Sequence, residues 1–156
     1  MEYAVRLIAD GTIILITILA LYAFIFMVPR VRWWFWALRI VAAGLTTYAA
    51  AKLAGFLYQP ETMRPFEKLG VEPGAAYLNN PGFPSDHALF AMFLTLAVWY
   101  STRSKWLASV MLTLTVAMGV GRVFALVHTP TDVVGGFVIA LIGVLWYRRT
   151  TKKVVE

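Results

Sequence analysis

Long apolar stretches separated by short polar breaks make up most of this chain. The clearest stretch, residues 11–28, contains no charged residue and is long enough to cross the hydrocarbon core of a bilayer. Four further apolar stretches follow it, at residues 33–58, 88–102, 106–121 (or 106–127) and 133–147. The last three are short for a bilayer, but a chain of this length has too little polar surface to bury five helices in water. The pattern therefore predicts five membrane-spanning helices.

Composition supports a membrane protein. The 156 residues are 60% hydrophobic and 14% charged, with a mean hydropathy of +0.72, whereas about 25% of residues are charged in average soluble domains. We therefore predict an all-α integral membrane protein, with residues 1–156 forming a single bundle of about five transmembrane helices. The absence of cysteine excludes disulfides and thiolate metal sites. The start of the chain does not have the pattern of a cleaved signal peptide, since Arg6 is followed closely by Asp10.

Positive charge falls mainly on one side of the five predicted spans. Eight cations lie after the first, third and fifth spans: Arg30, Arg32, Arg103, Lys105, Arg148, Arg149, Lys152 and Lys153. By the positive-inside rule we predict a plasma (inner) membrane protein with a cytoplasmic C-terminus. The N-terminus, the 59–87 connection and the turn around His128 would then be extracytoplasmic. Because the net charge of +6 is explained by topology, we expect no nucleic-acid partner, and the oligomeric state stays open.

The connection between the second and third stretches is rich in residues that break regular structure. Residues 59–86 contain five of the seven prolines of the chain, so we expect an irregular loop over the outer ends of the helices. This loop runs directly into the third helix through Ser85, Asp86 and His87, where Ser85 or Asp86 would cap the helix. Free backbone N–H groups at such a helix start form an anion-binding site.

A second group of charges, Arg122, His128 and Asp132, lies in otherwise apolar sequence. Ionisable groups at membrane depth are costly, so they usually pair with one another or line a water-filled site. His128 and Asp132 are four positions apart, which in a helix would place them on one face, where the carboxylate can hold the imidazole.

Two histidines, several cations and a helix N-terminus on one side of the bundle together indicate phosphate chemistry. Arginine binds phosphate oxygens in a bidentate fork, and lysine adds a point charge. One histidine can attack phosphorus if a carboxylate orients it, while the other protonates the leaving oxygen. The surrounding cations disfavour a divalent ion, so we expect no metal.

The pattern resembles the type-2 phosphatidic acid phosphatase superfamily, whose motifs are Lys-x6-Arg-Pro, Pro-Ser-Gly-His and Ser-Arg-x5-His-x3-Asp. The matching residues follow the family order, with Arg64 and Pro65 for the first motif, Pro84, Ser85 and His87 for the second, and Arg122, His128 and Asp132 for the third. The resemblance covers about residues 52–136. It implies a lipid phosphate substrate in the membrane and no cofactor.

The resemblance also implies a role for each residue. His128 would be the nucleophile that forms a phosphohistidine, Asp132 would orient it, and His87 would be the general acid. The residues that would hold the substrate phosphate are Arg122, Arg64, Ser85, Lys52 and Asp86.

Three positions depart from the family pattern. The lysine of the first motif would stand at Leu57, and we expect Lys52 rather than Lys68 to replace it. The serine of the third motif is Gly121. Asp86 replaces the glycine of the second motif, and the resulting Pro-Ser-Asp-His-Ala sequence is similar to bacterial undecaprenyl-diphosphatases of this superfamily.

The predicted function is hydrolysis of a polyprenyl (undecaprenyl) diphosphate or a related lipid phosphate at the outer leaflet. The alternatives are a phosphatidylglycerophosphate or phosphatidate phosphatase, a non-catalytic membrane scaffold or small transporter, and a bis-histidine haem protein. We expect the last three helices to surround the site and the 59–87 loop to cover it. Because the family usually has six spans, one would be absent here or replaced by the amphipathic residues 1–10.

Overall fold

The computed structural model describes residues 2–80 and 82–148 and is 79% helical. Its helices within these ranges are α1 (residues 2–27), α2 (Trp33–Leu57), α3 (Pro65–Leu69), α4 (Asp86–Thr102), α5 (Lys105–Phe124) and α6 (Pro130–Arg148). The described residues contain no strand, so the predicted all-α class is confirmed. The cations at 149–156 used in the topology prediction lie outside the described residues.

The five long helices correspond to the five predicted spans. By length and apolar composition α1, α2, α5 and α6 can each cross a membrane. Helix α4 has 17 residues and is about 26 Å long at 1.5 Å per residue, close to the hydrocarbon thickness of about 30 Å. The outward faces of the bundle carry exposed large apolar side chains, among them Ile18, Phe26, Leu38, Leu45 and Trp106. Such a perimeter requires lipid, so the protein is a multi-pass membrane protein.

Three predicted boundaries differ by three or more residues from those in the structure. Helix α1 begins at residue 2, so residues 2–10 continue the first span, which was predicted to start at residue 11, rather than form a separate segment. Helix α5 ends at Phe124, between the two predicted limits. Helix α6 begins at Pro130 rather than at residue 133, because Thr129 caps the helix and proline suits its first position.

Helix α4 lies at the centre of the bundle and contacts α1, α2, α5 and α6. Its contacts with α1 and α5 form an apolar core around Ile16, Ala20, Ala91, Met111 and Met118. The hydroxyls of Thr95 in α4 and Thr115 in α5 lie 3.0 Å apart within this buried region. The start of α4, which carries the predicted second motif, is therefore fixed relative to its neighbours.

The sequence predicted an irregular loop between α2 and α4. In the structure this connection also contains the short helix α3. Gly70 ends α3 in a left-handed conformation, with φ of 64°, as helix C-caps often do. The backbone N–H of Phe66 donates to the carbonyl of Leu126 at a distance of 3.0 Å. The N–H of Gly74 donates to the carbonyl of Ala125, also at 3.0 Å. The connection is thereby held against the turn between α5 and α6.

Candidate active site

His128 lies in the turn between α5 and α6. The turn includes Leu126, whose φ of 60° is uncommon for a residue other than glycine. Helix α6 begins after this turn, with the hydroxyl of Thr129 accepting a hydrogen bond from the N–H of Asp132 at 3.2 Å. His128 therefore precedes the helix cap, and its side chain is almost completely buried.

Asp132 supports His128 from inside the first turn of α6. Its Oδ2 lies 3.6 Å from His128 Nδ1 and accepts a hydrogen bond from the Thr129 N–H at 2.8 Å. The two residues do not share one helical face, because Thr129 and Pro130 start the helix after His128. The separation is slightly longer than a hydrogen bond, as is common for catalytic groups without substrate. A proton assigned to Nδ1, facing the carboxylate, leaves the Nε2 lone pair available.

The start of α4 places the second motif beside this turn. The hydroxyl of Ser85 accepts from the N–H of Ala88 at 3.4 Å, so Ser85 is the helix cap and Asp86 is the first helical residue. The N–H of Ser85 donates to the backbone carbonyl of Asp132 at 3.0 Å, which joins the two motifs directly. The Ser85 side chain is fully buried, and the Phe83–Pro84 peptide bond before it is cis. His87 follows in the first turn of α4 and is half-buried.

A glycine in α6 permits this close approach. A Cβ at Gly136 would lie 2.7 Å from the Ser85 carbonyl oxygen and 2.9 Å from the Leu89 nitrogen. Both neighbours are backbone atoms, so neither can move without shifting the start of α4. Gly136 therefore sets the distance between the helix that carries His87 and the helix that carries Asp132.

Arg122, near the end of α5, is paired with a residue that sequence reasoning had not assigned to the site. Its side chain is 1% exposed, and its Nη1 donates to Asp10 Oδ1 at 2.7 Å. The other carboxylate oxygen of Asp10 accepts from the N–H of Ala76 at 2.9 Å. Asp10 thus joins α1, α5 and the α2–α4 connection. One sequence signal could have identified it, since a carboxylate within an apolar span usually has a partner.

The glycine in the serine position of the third motif has a packing reason. A Cβ at Gly121 would lie 2.9 Å from Ile8 Cγ2 and 3.1 Å from the Ala9 nitrogen. Because Gly121 has no side chain, α1 can approach α5 closely at this point. Gly121 directly precedes Arg122, and the approaching part of α1 is the part that carries Asp10.

Arg64 contributes to the framework of the site. Its Nη1 donates to the carbonyl of Val127, and its Nη2 donates to the carbonyl of Leu78 at 3.0 Å and to Asn80 Oδ1 at 3.0 Å. Burial lowers the pKa of Arg64, while the nearby carboxylates oppose this shift, and arginine remains charged in proteins. These bonds hold the loop against the residue before His128. The phosphate contact predicted for Arg64 stays a prediction.

Of the two candidate lysines, Lys52 is the one beside the motifs. Its Nζ lies 3.4 Å from Asp86 Oδ1, and both side chains are partly exposed. Lys68 instead pairs with Glu61 at 2.6 Å on the surface of the loop.

A cavity of about 130 Å³ joins most of these groups. Only about 10–15 Å³ of such space is needed for one water molecule, so the cavity has room for a phosphate group. The predicted site residues that line it are Arg64, Asp86, His87, Arg122 and His128. Ser85, Lys52 and Asp132 are not part of its lining but contact residues beside it. Tyr77 and Asn80, which also line it, carried no recognisable sequence signal.

Burial lowers the pKa of His128, the nearby Asp132 carboxylate partly opposes this shift, and Arg122 and Arg64 lower the pKa further. The imidazole is therefore neutral at neutral pH, which is the form that a nucleophile requires. Among the described residues, no group of three His, Cys, Asp or Glu side chains could hold a metal ion. The expected absence of a metal stays a prediction.

Comparison with known proteins gives a family and one relative. The family model described as the PAP2 superfamily matches residues 33–156, so α1 lies outside the match. The curated protein "Putative undecaprenyl-diphosphatase YbjG" of Escherichia coli (strain K12) is 31% identical over 122 residues. These residues cover 72% of this chain and 59% of that protein, so the chain spans less than two thirds of its relative's length. No solved structure gives a significant match.

Proposed function

The chain belongs to the PAP2 superfamily, and from this premise we propose that it is a membrane lipid phosphatase whose substrate is a polyprenyl diphosphate. The observation that carries the proposal is the cavity in which His128, His87 and Arg122 meet. The name of the 31% identical relative supports a diphosphate substrate on an undecaprenyl chain.

In the proposed reaction, His128 Nε2 attacks the terminal phosphorus while Asp132 holds Nδ1. The bond from phosphorus to the bridging oxygen breaks, and His87 gives its proton to that oxygen, releasing the lipid monophosphate. Water then attacks the phosphohistidine and transfers a proton to His87 as the N–P bond breaks. Inorganic phosphate leaves. Arg122, Arg64 and the N–H groups at the start of α4 stabilise the phosphate oxygens during both steps.

The lipid chain is proposed to lie between α2 and α4. A second cavity, of about 290 Å³, is lined there by apolar groups that include Gly44, Leu89 and Phe93. Asp86 lines both this cavity and the phosphate cavity. A lipid whose chain lies between these helices could therefore present its phosphate to His128 from the side, without leaving the membrane.

The test is release of inorganic phosphate by the purified protein in detergent–lipid micelles. Undecaprenyl diphosphate, phosphatidate and phosphatidylglycerophosphate are compared at equal surface concentrations, with and without a chelator. We expect the highest kcat/KM for undecaprenyl diphosphate, no effect of the chelator, and a loss of about 10³-fold or more in His128→Ala.

The control is that His128→Ala inserts into membranes and elutes from size exclusion like the wild type. Preference for phosphatidate or phosphatidylglycerophosphate would change the substrate assignment. If none of the three lipids releases phosphate, the protein is not a lipid phosphatase, and a scaffold or small transporter becomes the better interpretation.

A further inference from the structure

Asp10 has no place in the three phosphatase motifs, yet it holds Arg122 from the opposite helix. Its two oxygens have separate partners, Arg122 Nη1 at 2.7 Å and the Ala76 N–H at 2.9 Å. The contact with Ala76 fixes the carboxylate against the loop that covers the site. A carboxylate held in this way can fix the guanidinium plane of Arg122.

The part of Arg122 that Asp10 leaves unoccupied is suited to phosphate. Arg122 lines the cavity that His87 and His128 share, and its buried Nε has no hydrogen-bond partner among the described residues. A guanidinium offers five N–H donors and binds phosphate in pairs of parallel hydrogen bonds. With Nη1 bound to Asp10, the edge formed by Nε and Nη2 remains for such a pair. An unpaired buried donor is costly and therefore favours a ligand that satisfies it.

We propose that Asp10 is a positioning residue, which orients the guanidinium of Arg122 so that its Nε edge binds the phosphate of the substrate. This inference rests on the proposed function. The negative charge of Asp10 also compensates the buried cation when no phosphate is bound, since an unpaired buried charge is strongly unfavourable. Asp10 acts through Arg122 and makes no contact with the reacting atoms.

The local structure of α1 and α5 is consistent with this role. Asp10 lies in a π-helical turn, Leu7–Gly11, and such turns often occur at functional sites in otherwise α-helical segments. Gly121 lets the same turn approach α5 beside Arg122. Because α1 lies outside the family match at residues 33–156, the motif-bearing part of the chain does not itself supply this carboxylate.

The test measures binding of orthovanadate, a phosphate mimic, by isothermal titration calorimetry on the full-length protein in detergent. The variants are Asp10→Ala, Arg122→Ala and the double substitution. If Asp10 acts through Arg122, we expect Asp10→Ala to raise Kd about tenfold in the wild-type background and to have no further effect in Arg122→Ala. Substrate KM should rise with Kd, while kcat changes less.

Two further variants separate positioning from stability. Glu72→Ala removes an exposed carboxylate from the same covering loop and should leave Kd unchanged. Asp10→Asn keeps an oxygen acceptor for Nη1, so its Kd should lie between those of the wild type and Asp10→Ala; it also serves if Asp10→Ala does not fold.

Two results would overturn the inference: an unchanged Kd in both Asp10 variants, or an equal rise of Kd with and without Arg122. An inactive wild type would instead refute the proposed function. An active wild type whose Asp10 variants bind orthovanadate normally would refute only the positioning role.

Discussion

At the scale of single residues, the chemistry proposed here depends on one neutral imidazole. His128 is 5% exposed and lies between two arginines and a carboxylate. Burial and the arginines favour the neutral imidazole. Asp132 favours the protonated imidazole, but its effect is smaller, so the pKa of His128 is lowered. The direction of this pKa shift matters for the proposed reaction, because a protonated imidazole cannot attack phosphorus.

The first prediction concerns the pKa of His128. The chain has two histidines, so in His87→Gln the imidazole of His128 can be titrated alone by NMR. We expect a pKa below the usual histidine value of about 6.5, with the neutral form lost only as the pH falls through this lowered value. Asp132→Asn should lower the pKa further, because it removes the partner that favours the proton. A pKa above 6.5, or an increase in Asp132→Asn, would contradict this account.

The spacing of motif residues predicted much of the site, but not its full set of contacts. Arg122, His128 and Asp132 could be selected together because they are close in sequence and otherwise surrounded by apolar residues. The position of Asp10 in an apolar stretch could suggest that it has a partner, but not that the partner is Arg122, since the two residues are 112 positions apart and only the fold brings them together. The hydrogen bonds of Arg64 to backbone carbonyls were equally unpredictable, because any residue type supplies a carbonyl.

At the scale of elements, the site depends on how closely α6 packs against the start of α4. The apolar pattern predicted both helices, because long apolar runs have few alternatives in a membrane. It did not predict the short helix α3, since the prolines around it were read as loop signals. Nor did periodicity indicate that Gly136 faces the Ser85 carbonyl, which is a property of packing.

The second prediction tests this packing with two glycines of α6. A Cβ at Gly136 would meet backbone atoms at 2.7 and 2.9 Å, whereas a Cβ at Gly143 would meet its nearest neighbours at 3.4 Å. We expect Gly136→Ala to destabilise the protein by about 1–3 kcal/mol and to lower kcat/KM, because His87 is displaced relative to His128. Gly143→Ala should retain both properties. Thermal unfolding in detergent and phosphate release provide the measurements, and equal behaviour of the two variants would argue against a packing role.

At the scale of the whole molecule, the packing of the five long helices brings the motif residues together around one cavity. These residues come from three of the helices and from two connections. The charge pattern predicts that this cavity opens to the extracytoplasmic side. The order and number of long helices followed from the apolar pattern, because each span is continuous in sequence. Their mutual arrangement did not, because it depends on contacts between distant segments such as Thr95 and Thr115.

The third prediction tests this orientation and uses the absence of cysteine in the chain. Glu72→Cys introduces a thiol into the loop that covers the site, and Ser104→Cys introduces one into the turn between α4 and α5. In intact cells, a membrane-impermeant maleimide should label Glu72→Cys and leave Ser104→Cys unlabelled until the cells are lysed. The reverse pattern would invert the proposed topology and place the site in the cytoplasm.

The shortness of α4 has a consequence for how such an enzyme would meet its substrate. Helix α4 has 17 residues, whereas α2, on the other side of the proposed chain cavity, has 25. Because the site lies at the start of the shorter helix, a lipid could diffuse within its leaflet to the cavity and react without being extracted. Encounter would then be a two-dimensional process. Turnover would follow the mole fraction of substrate in the surface, so diluting the substrate with inert lipid at constant bulk concentration would slow the reaction.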